Sequence, residues 1–395
     1  MYSVITLAPG KEANVAFHHP WIFSGAILKP VMAEHGELVQ VLDKNGKCLG
    51  TGTYSASSSI AIRVMEFGPA QIDKAWFLKR FKDADARRTL MGYGPKTDTT
   101  GYRLIFGEAD GIPGLVVDRY NDVLVIQIGT AGMDKMRDIV RDALVEVFAP
   151  KAIVERSTMP SRREENLPDA SGVIFGEDPG LVTFKEAGKE FIADVVNGQK
   201  TGFFCDQKET RAAIQHYAAG RANVANLFSY SGSAGIAALL GGAEHVHNVD
   251  ASAEALALCM KHAELHGFDA KRFTTEEADL FQWLGKSETP AYDMVILDPP
   301  ALIKSKADTE EGKKAYHFLN RAAMRLTLDN GILVTSSCSH FMSEEDLAFT
   351  LRRASVQAGV KLDLLAITHQ SPDHPASVYF PEASYLKTFI FRVSR

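Results

Sequence analysis

The chain has 395 residues, of which 46% are hydrophobic and 23% charged, with a formal net charge of -6 and only four cysteines. That composition describes a globular chain of two or three domains and excludes a disordered or fibrous one. No apolar run approaches about 18 residues, which excludes a transmembrane helix, and the acidic total by itself counts against a nucleic-acid partner.

Pro9, Gly10 and Lys11 interrupt the N-terminal apolar stretch too early for a secretory signal. Cys48, Cys205, Cys259 and Cys338 form no CxxC pair. This argues against a zinc ribbon or a disulfide framework and points to a reducing cytoplasm. The charge is uneven: residues 1–100 carry a net +3, residues 101–190 a net -5 and residues 191–395 a net -4.

Residues 1–68 read as short strands cut by Gly, Pro and Asn, among them 36–43 and 59–67, and predict a small β-rich barrel. Residues 73–90 have helical spacing, with Trp76, Phe77, Phe81 and Leu90 apolar and basic residues between them. Two strand-like pieces around residues 101–129 follow, then a helix over 134–148. Pro160, Pro168 and Gly172 mark a polar loop or linker. From about residue 191 apolar strands alternate with helices. The strands are 224–230, 245–250, 293–300, 331–339, 361–369 and 385–393; the clearest helices are 252–266, 313–328 and 343–358. This alternation predicts a doubly wound, mainly parallel sheet closed by an antiparallel hairpin.

The turn Asn226–Gly235, with Phe228, Ser229, Tyr230 and Gly232, follows the first strand and opens a helix. Small residues there let a ligand approach backbone N–H groups at a helix start, although a plain tight turn has the same composition. Asp250 ends the second strand, placed either to accept hydrogen bonds from ribose hydroxyls or to cap the next helix. The two together favour an adenosine-type cofactor. Asp279, at the next strand end, suits either the exocyclic amine of an adenine or a helix cap. Asp298 ends the fourth strand and points to the usual ligand crevice, while Pro299 and Pro300 stop the ladder and form a rigid rim for a flat ring. Cys338 sits among serines at the neighbouring strand end, with the exposure a nucleophile needs. Lys200 and Gln207, in the segment before the sheet, read either as a polar loop or as holders of an amino-acid-like group.

These residues also resemble a known family. The second half is similar to Rossmann-type S-adenosylmethionine-dependent methyltransferases, and nearly the whole chain resembles the RlmI-like large-subunit ribosomal RNA methyltransferases. The resemblance rests on 19–25 (HPWIFSG), 102–119, the segment from Lys200 to Gln207, the turn from Phe228, and the pairing of Asp298-Pro299-Pro300 with Ser337-Cys338-Ser339. Residues 373–375 and 385–387 resemble the closing motif. It implies an RNA-binding PUA β-barrel at 1–70, a central β-rich α/β domain at 71–190 and a Rossmann-like catalytic domain at 191–395.

The resemblance further implies methylation of cytosine C5 in 23S ribosomal RNA or a large-subunit precursor, in the cytoplasm, with no membrane or metal involved and room for a homodimer. S-adenosylmethionine would be held by Lys200, Gln207, Phe228, Ser229, Tyr230, Gly232, Asp250, Asp279 and Asp298. Cys338 would add to C6 of the base, Asp298 would bond its N3/N4 edge, and Pro299 and Pro300 would line its face. Two departures stand out. Ala301 and Leu302 follow the prolines where many RNA 5-methylcytosine enzymes carry a second cysteine, so the base that removes the C5 proton is not identified. Ser231-Gly232-Ser233-Ala234 is closer to a sister group that methylates guanine N7, which lacks both the PUA domain and the cysteine matched by Cys338. The alternatives are action at another RNA position and an RNA-binding assembly factor with a vestigial cofactor site.

Overall fold

Residues 2–286 and 289–395 are described by the computed structural model, in which the chain forms two units. The first comprises Met1–Lys189, Ala193–Cys205 and Pro372–Ala383; the second comprises Glu190–Ile192, Asp206–Ser371 and Ser384–Arg395. No helix among the described residues is long and apolar enough to cross a membrane.

In the first unit, a five-stranded sheet runs in the spatial order Ser3–Thr6, Leu38–Leu42, Cys48–Tyr54, Ile60–Phe67, Trp21–Phe23. Val39 and Val41 alternate with Leu38, Gln40 and Leu42, so one side of that strand packs inward with Ile5, Ile22, Ile62 and Val64. The helix Lys74–Leu90 starts on Asp73, whose carboxylate accepts from the Trp76 N–H at 3.0 Å. Trp76, Phe77 and Phe81 are buried as expected, but Leu90 is 89% exposed. At 100° per residue Leu90 lies opposite Phe81, whereas Arg88 falls on the same face. Arg88 is fully buried there, bidentate to Asp110 with both distances 2.7 Å.

A second five-stranded sheet has the order Ala170–Gly176, Ala152–Ser157, Val123–Ile128, Leu115–Tyr120, Gly101–Phe106. The loop expected over 160–172 is therefore a correction: Pro160–Glu164 is a short helix and Ala170–Gly176 an edge strand antiparallel to Ala152–Ser157. None of that edge strand's residues is fully buried, so it carries no apolar alternation to read. The helix expected over 134–148 is two helices, Ala131–Lys135 and Arg137–Phe148, meeting at Met136. Pro372–Ala383 belongs to this unit through Asp373, which is fully buried. The Asp373 carbonyl accepts from Arg88 at 2.8 Å, and its carboxylate accepts from the Arg103 N–H at 2.8 Å.

The second unit is built on a seven-stranded sheet in the order Phe273–Glu277, His245–Asp250, Asn223–Leu227, Tyr292–Leu297, Thr327–Ser337, Lys387–Ser394, Lys361–His369. The first five are mutually parallel; Lys387–Ser394 is antiparallel to both its neighbours, so the closing hairpin places its last strand inside the sheet. Helices Ala253–Leu265, Thr309–Leu326 and Glu344–Ala358 fall where the apolar spacing places them. Val295, Leu297, Leu333, Tyr316 and Leu319 are among the buried residues of its core. Chain order reverses between Asn223–Leu227 and Tyr292–Leu297. In an open α/β sheet such a switch point opens a ligand crevice beyond the carboxyl ends of those two strands.

Candidate active site

The turn that leaves the strand Asn223–Leu227 has an alternating backbone. Phe228, Tyr230 and Gly232 all have positive φ (57°, 47° and 79°), so the chain winds tightly before the helix Ser233–Leu240 begins. A Cβ on Gly232 would lie 2.2 Å from Cys259 Sγ, and one on Gly235 would lie 2.5 Å from Asn248 Oδ1. The turn therefore sits directly on the helix and strand beneath it. Below it the buried amide of Asn226 donates to Asn248 at 2.9 Å, and Asn248 donates to the Thr274 carbonyl at 3.1 Å. His262, fully buried, fixes the turn from the side: Nδ1 meets the Ser231 carbonyl at 2.8 Å, and Nε2 accepts from the Ile192 N–H at 2.7 Å. Burial pushes the His262 pKa down to about 4, so the ring is neutral near pH 7, as these two bonds require.

Asp250 lies beside this turn. Its two carboxylate oxygens accept from the Tyr230 N–H at 2.8 Å and the Ser252 N–H at 3.0 Å. The cap of the following helix is Ser252, which accepts from the Ala255 N–H at 3.2 Å, so capping is not what Asp250 does. Asp279 is different: it is exposed and accepts from the Gln282 N–H at 2.9 Å at the start of the helix Leu280–Lys286, the capping geometry.

At the switch point Leu227 pairs with Leu297, and Leu297 pairs with Thr335. This register puts Asp298 at the carboxyl edge next to Ser336, with Cys338 two residues further along the same edge. Asp298 and Cys338 are both partly exposed, Pro299 is buried and Pro300 is exposed. Gln207 donates from Nε2 to Asp298 Oδ2 at 3.0 Å. Phe228, Ser229, Tyr230, Gly232, Asp250, Gln207, Asp298, Pro299, Pro300 and Cys338 thus share one edge of one unit. Lys200 belongs to the other unit, where its ammonium lies 4.4 Å from the Phe204 ring centroid. Cys205 is buried within that unit, in line with packing.

Several residues around this edge were missed. The Tyr385 hydroxyl donates to Asp206 at 2.5 Å, and the Asp206 carbonyl accepts from the Ser371 N–H at 2.9 Å. The Tyr316 hydroxyl bridges the serines flanking Cys338, at 2.9 Å from Ser337 Oγ and 3.0 Å from Ser339 Oγ. Lys387 is buried and donates to the Ser339 carbonyl at 2.9 Å and to the Met342 carbonyl. Asp206 lies within the segment Lys200–Gln207, and Tyr385 and Lys387 lie within the closing motif 385–387, whereas Tyr316 carried no sequence signal. Among the described residues no group of three or more His, Cys, Asp or Glu could hold a metal ion.

The edge has the features that a nucleoside carrying an amino-acid tail requires. Ser229 Oγ, Ser231 Oγ and Gln207 Oε1 are buried with no hydrogen-bond partner among the described residues. Such atoms are costly to bury unless a ligand meets them. Each carboxylate oxygen of Asp250 keeps a further acceptor position for a hydroxyl.

Comparison with known proteins agrees. The chain matches the family described as S-adenosylmethionine-dependent methyltransferase over residues 133–376 and a PUA-like domain over residues 5–67. It is 36% identical over 398 residues to the ribosomal RNA large subunit methyltransferase I of Alteromonas mediterranea, covering all of both chains. It is 36% identical over 401 residues to the protein of that name from Aeromonas hydrophila, covering 99% of this chain and all of that one. Its fold is similar to that of a protein assigned as a methyltransferase and crystallised with SAH, with a TM-score of 0.85 at 23% identity over 99% of this chain and all of that one. The chain therefore belongs to the ribosomal RNA large subunit methyltransferase I family, and its cofactor is S-adenosylmethionine.

Proposed function

We propose that the protein methylates C5 of a cytosine in 23S ribosomal RNA, or in a large-subunit precursor, through a transient bond between Cys338 and C6 of the base. One observation carries this reading: a partly exposed cysteine and the Asp298-Pro299-Pro300 rim stand at the ends of adjacent parallel strands beside the switch-point crevice. C5 of cytosine is a poor nucleophile. Addition of the Cys338 thiolate to C6 gives the ring an enamine-like C5 that can form a new carbon–carbon bond. When bound, S-adenosylmethionine supplies an electrophilic methyl group. Loss of the C5 proton to a base then restores the C5–C6 double bond and expels the thiolate.

Asp298, as the carboxylic acid, gives a proton to N3 as the thiolate adds, so that the negative charge entering the ring is neutralised, and Gln207 orients its carboxyl group. Pro299 and Pro300 give the flipped base a flat wall. Phe228, Ser229, Tyr230 and Gly232 surround the cofactor, Asp250 accepts from the ribose hydroxyls, and Gln207 offers Oε1 to the amino group. Asp279 remains the candidate for the adenine amine through the acceptor capacity left after capping. The wider organisation is a PUA RNA-binding domain at 1–70, a central domain at 71–190 and the catalytic domain at 191–395, in a cytoplasmic protein that can form a homodimer.

The reading is tested by incubating the enzyme with labelled S-adenosylmethionine and undermodified 50S subunits or 23S RNA, then identifying the modified nucleoside. Labelled 5-methylcytosine in 23S RNA is expected. Cys338→Ser is expected to lose turnover and keep cofactor binding by calorimetry. Labelled N7-methylguanine, or no label in RNA, would overturn the proposal.

A further inference from the structure

Lys387 enters the sheet on an apolar strand, directly opposite Ser337 in the antiparallel ladder. Only 6% of it is exposed. Its ammonium donates to the carbonyls of Ser339 and Met342, in the turn that follows Cys338. No carboxylate among the described residues lies within ion-pair distance of it. A buried ammonium held only by neutral carbonyls is unfavourable unless negative charge develops nearby. The group placed to supply that charge is the thiolate of Cys338, the residue immediately before Ser339.

We infer that Lys387 is a positioning residue for the nucleophile: it anchors the turn after Cys338 and supplies the positive field that favours the thiolate. The inference rests on the role proposed for Cys338. A cation beside a thiol favours the ionised sulfur, the form that attacks carbon. Burial, the largest influence, lowers the Lys387 pKa, and charge at Cys338 and Glu344 opposes that lowering. Other titratable groups surround the pair. Tyr316 faces Cys338 from the helix Thr309–Leu326, and burial raises its pKa, so it is neutral. His369 lies opposite Lys387 in the sheet, and its ring meets Glu344 at 2.7 Å. Asp298 stands at the adjoining strand end, and His340 is exposed in the turn itself. Among these groups Lys387 supplies the one ammonium, and it is buried and bonded to the Ser339 carbonyl in the turn after Cys338.

The test measures iodoacetamide alkylation of the full-length protein against pH, with each cysteine-containing peptide quantified by mass spectrometry. Cys48, also partly exposed, is the internal control. Lys387→Met and Lys387→Gln are expected to slow Cys338 alkylation about tenfold at neutral pH and to move its pH midpoint upward, the scale of one opposite charge at short range. Lys387→Arg keeps the charge and is expected to stay near wild type, with Cys48 unchanged in every variant. Thermal melting and SAH titration identify the variants that have folded. Using Gln beside Met guards against loss of the fold, since Gln still donates to one carbonyl. Unchanged Cys338 reactivity in the folded neutral variants would overturn the inference, as would an Arg variant that behaves like Met. No RNA takes part in the measurement, so this result is separate from whether Cys338→Ser abolishes turnover.

Discussion

Gln207 donates to Asp298 Oδ2 at 3.0 Å while its own Oε1 is buried without a hydrogen-bond partner among the described residues. One side chain therefore orients the carboxylate at the strand end and presents an acceptor to the crevice. A hydrogen bond to a charged group contributes about 1.5–3 kcal/mol. Gln207→Ala is accordingly expected to lower kcat/KM by roughly 10- to 100-fold. Gln207→Glu would set a second carboxylate against Asp298, and like charges at that distance hold one proton between them. Its activity should be lower still at neutral pH and recover in part as the pH falls. Single-turnover methylation across pH checks this; full activity of the Glu variant at neutral pH would contradict it.

Asp250 ties down a turn that is otherwise strained, since Tyr230 has φ 47° and its N–H donates to that carboxylate at 2.8 Å. Asp250→Ala removes the acceptor of two backbone N–H groups. It is expected to lower stability by about 1–3 kcal/mol and to weaken SAH binding at least tenfold, by about 1.4 kcal/mol or more. Asp250→Asn keeps one acceptor oxygen and should fall between. Calorimetric titration with SAH decides: wild-type affinity in the Ala variant would remove Asp250 from the cofactor site.

Gly232 answers to two constraints at once, φ 79° and a Cβ position 2.2 Å from Cys259 Sγ. Gly232→Ala is expected to cost about 2–4 kcal/mol, combining overpacking with a left-handed backbone. Adding Cys259→Ala should relieve the overpacking and leave the backbone strain. A double-mutant cycle in urea is therefore expected to show partial recovery. Strict additivity of the two changes would mean that the turn moves rather than collides.

Strand ends were the most legible part of the site. Asp298 and Cys338 could be placed on one edge because parallel strands of similar length share a register, and that register is observed. Asp250 and Asp279 looked alike, each an acid at a strand end. Only the structure separates them, because Ser252 caps one helix while Asp279 itself caps the next. Lys387 was legible only as a member of the closing motif at 385–387, and His262 gave no warning. A lysine in an apolar strand or a histidine in a helix reads as a surface residue until packing shows where its nitrogen ends. Arg88 concealed itself in the same way, occupying the position an apolar residue would fill and answering to Asp110 22 residues later. The edge strand Ala170–Gly176 escaped notice because it has no fully buried residue to set a period.

The stability of the protein should fall in mild acid because of His262. Its ring is neutral when folded, giving Nδ1–H to the Ser231 carbonyl and accepting the Ile192 N–H at Nε2. Burial lowers its pKa from 6.5 to about 4. The unfolded chain therefore binds a proton at higher pH than the folded one does. The contribution is fully present above about pH 6.5 and declines as the pH falls toward 4, with a slope of at most about 1.4 kcal/mol per pH unit. Burial also lowers the pKa of His247 and of His317, which adds smaller losses in the same direction. His262→Gln can keep one donor and one acceptor without titrating. It should be less stable than wild type at pH 7 but lose less between pH 7 and pH 5, by about 1–2 kcal/mol. Urea unfolding at the two pH values measures the difference. Equal losses in both proteins would mean that His262 does not set the acid limb of the stability profile.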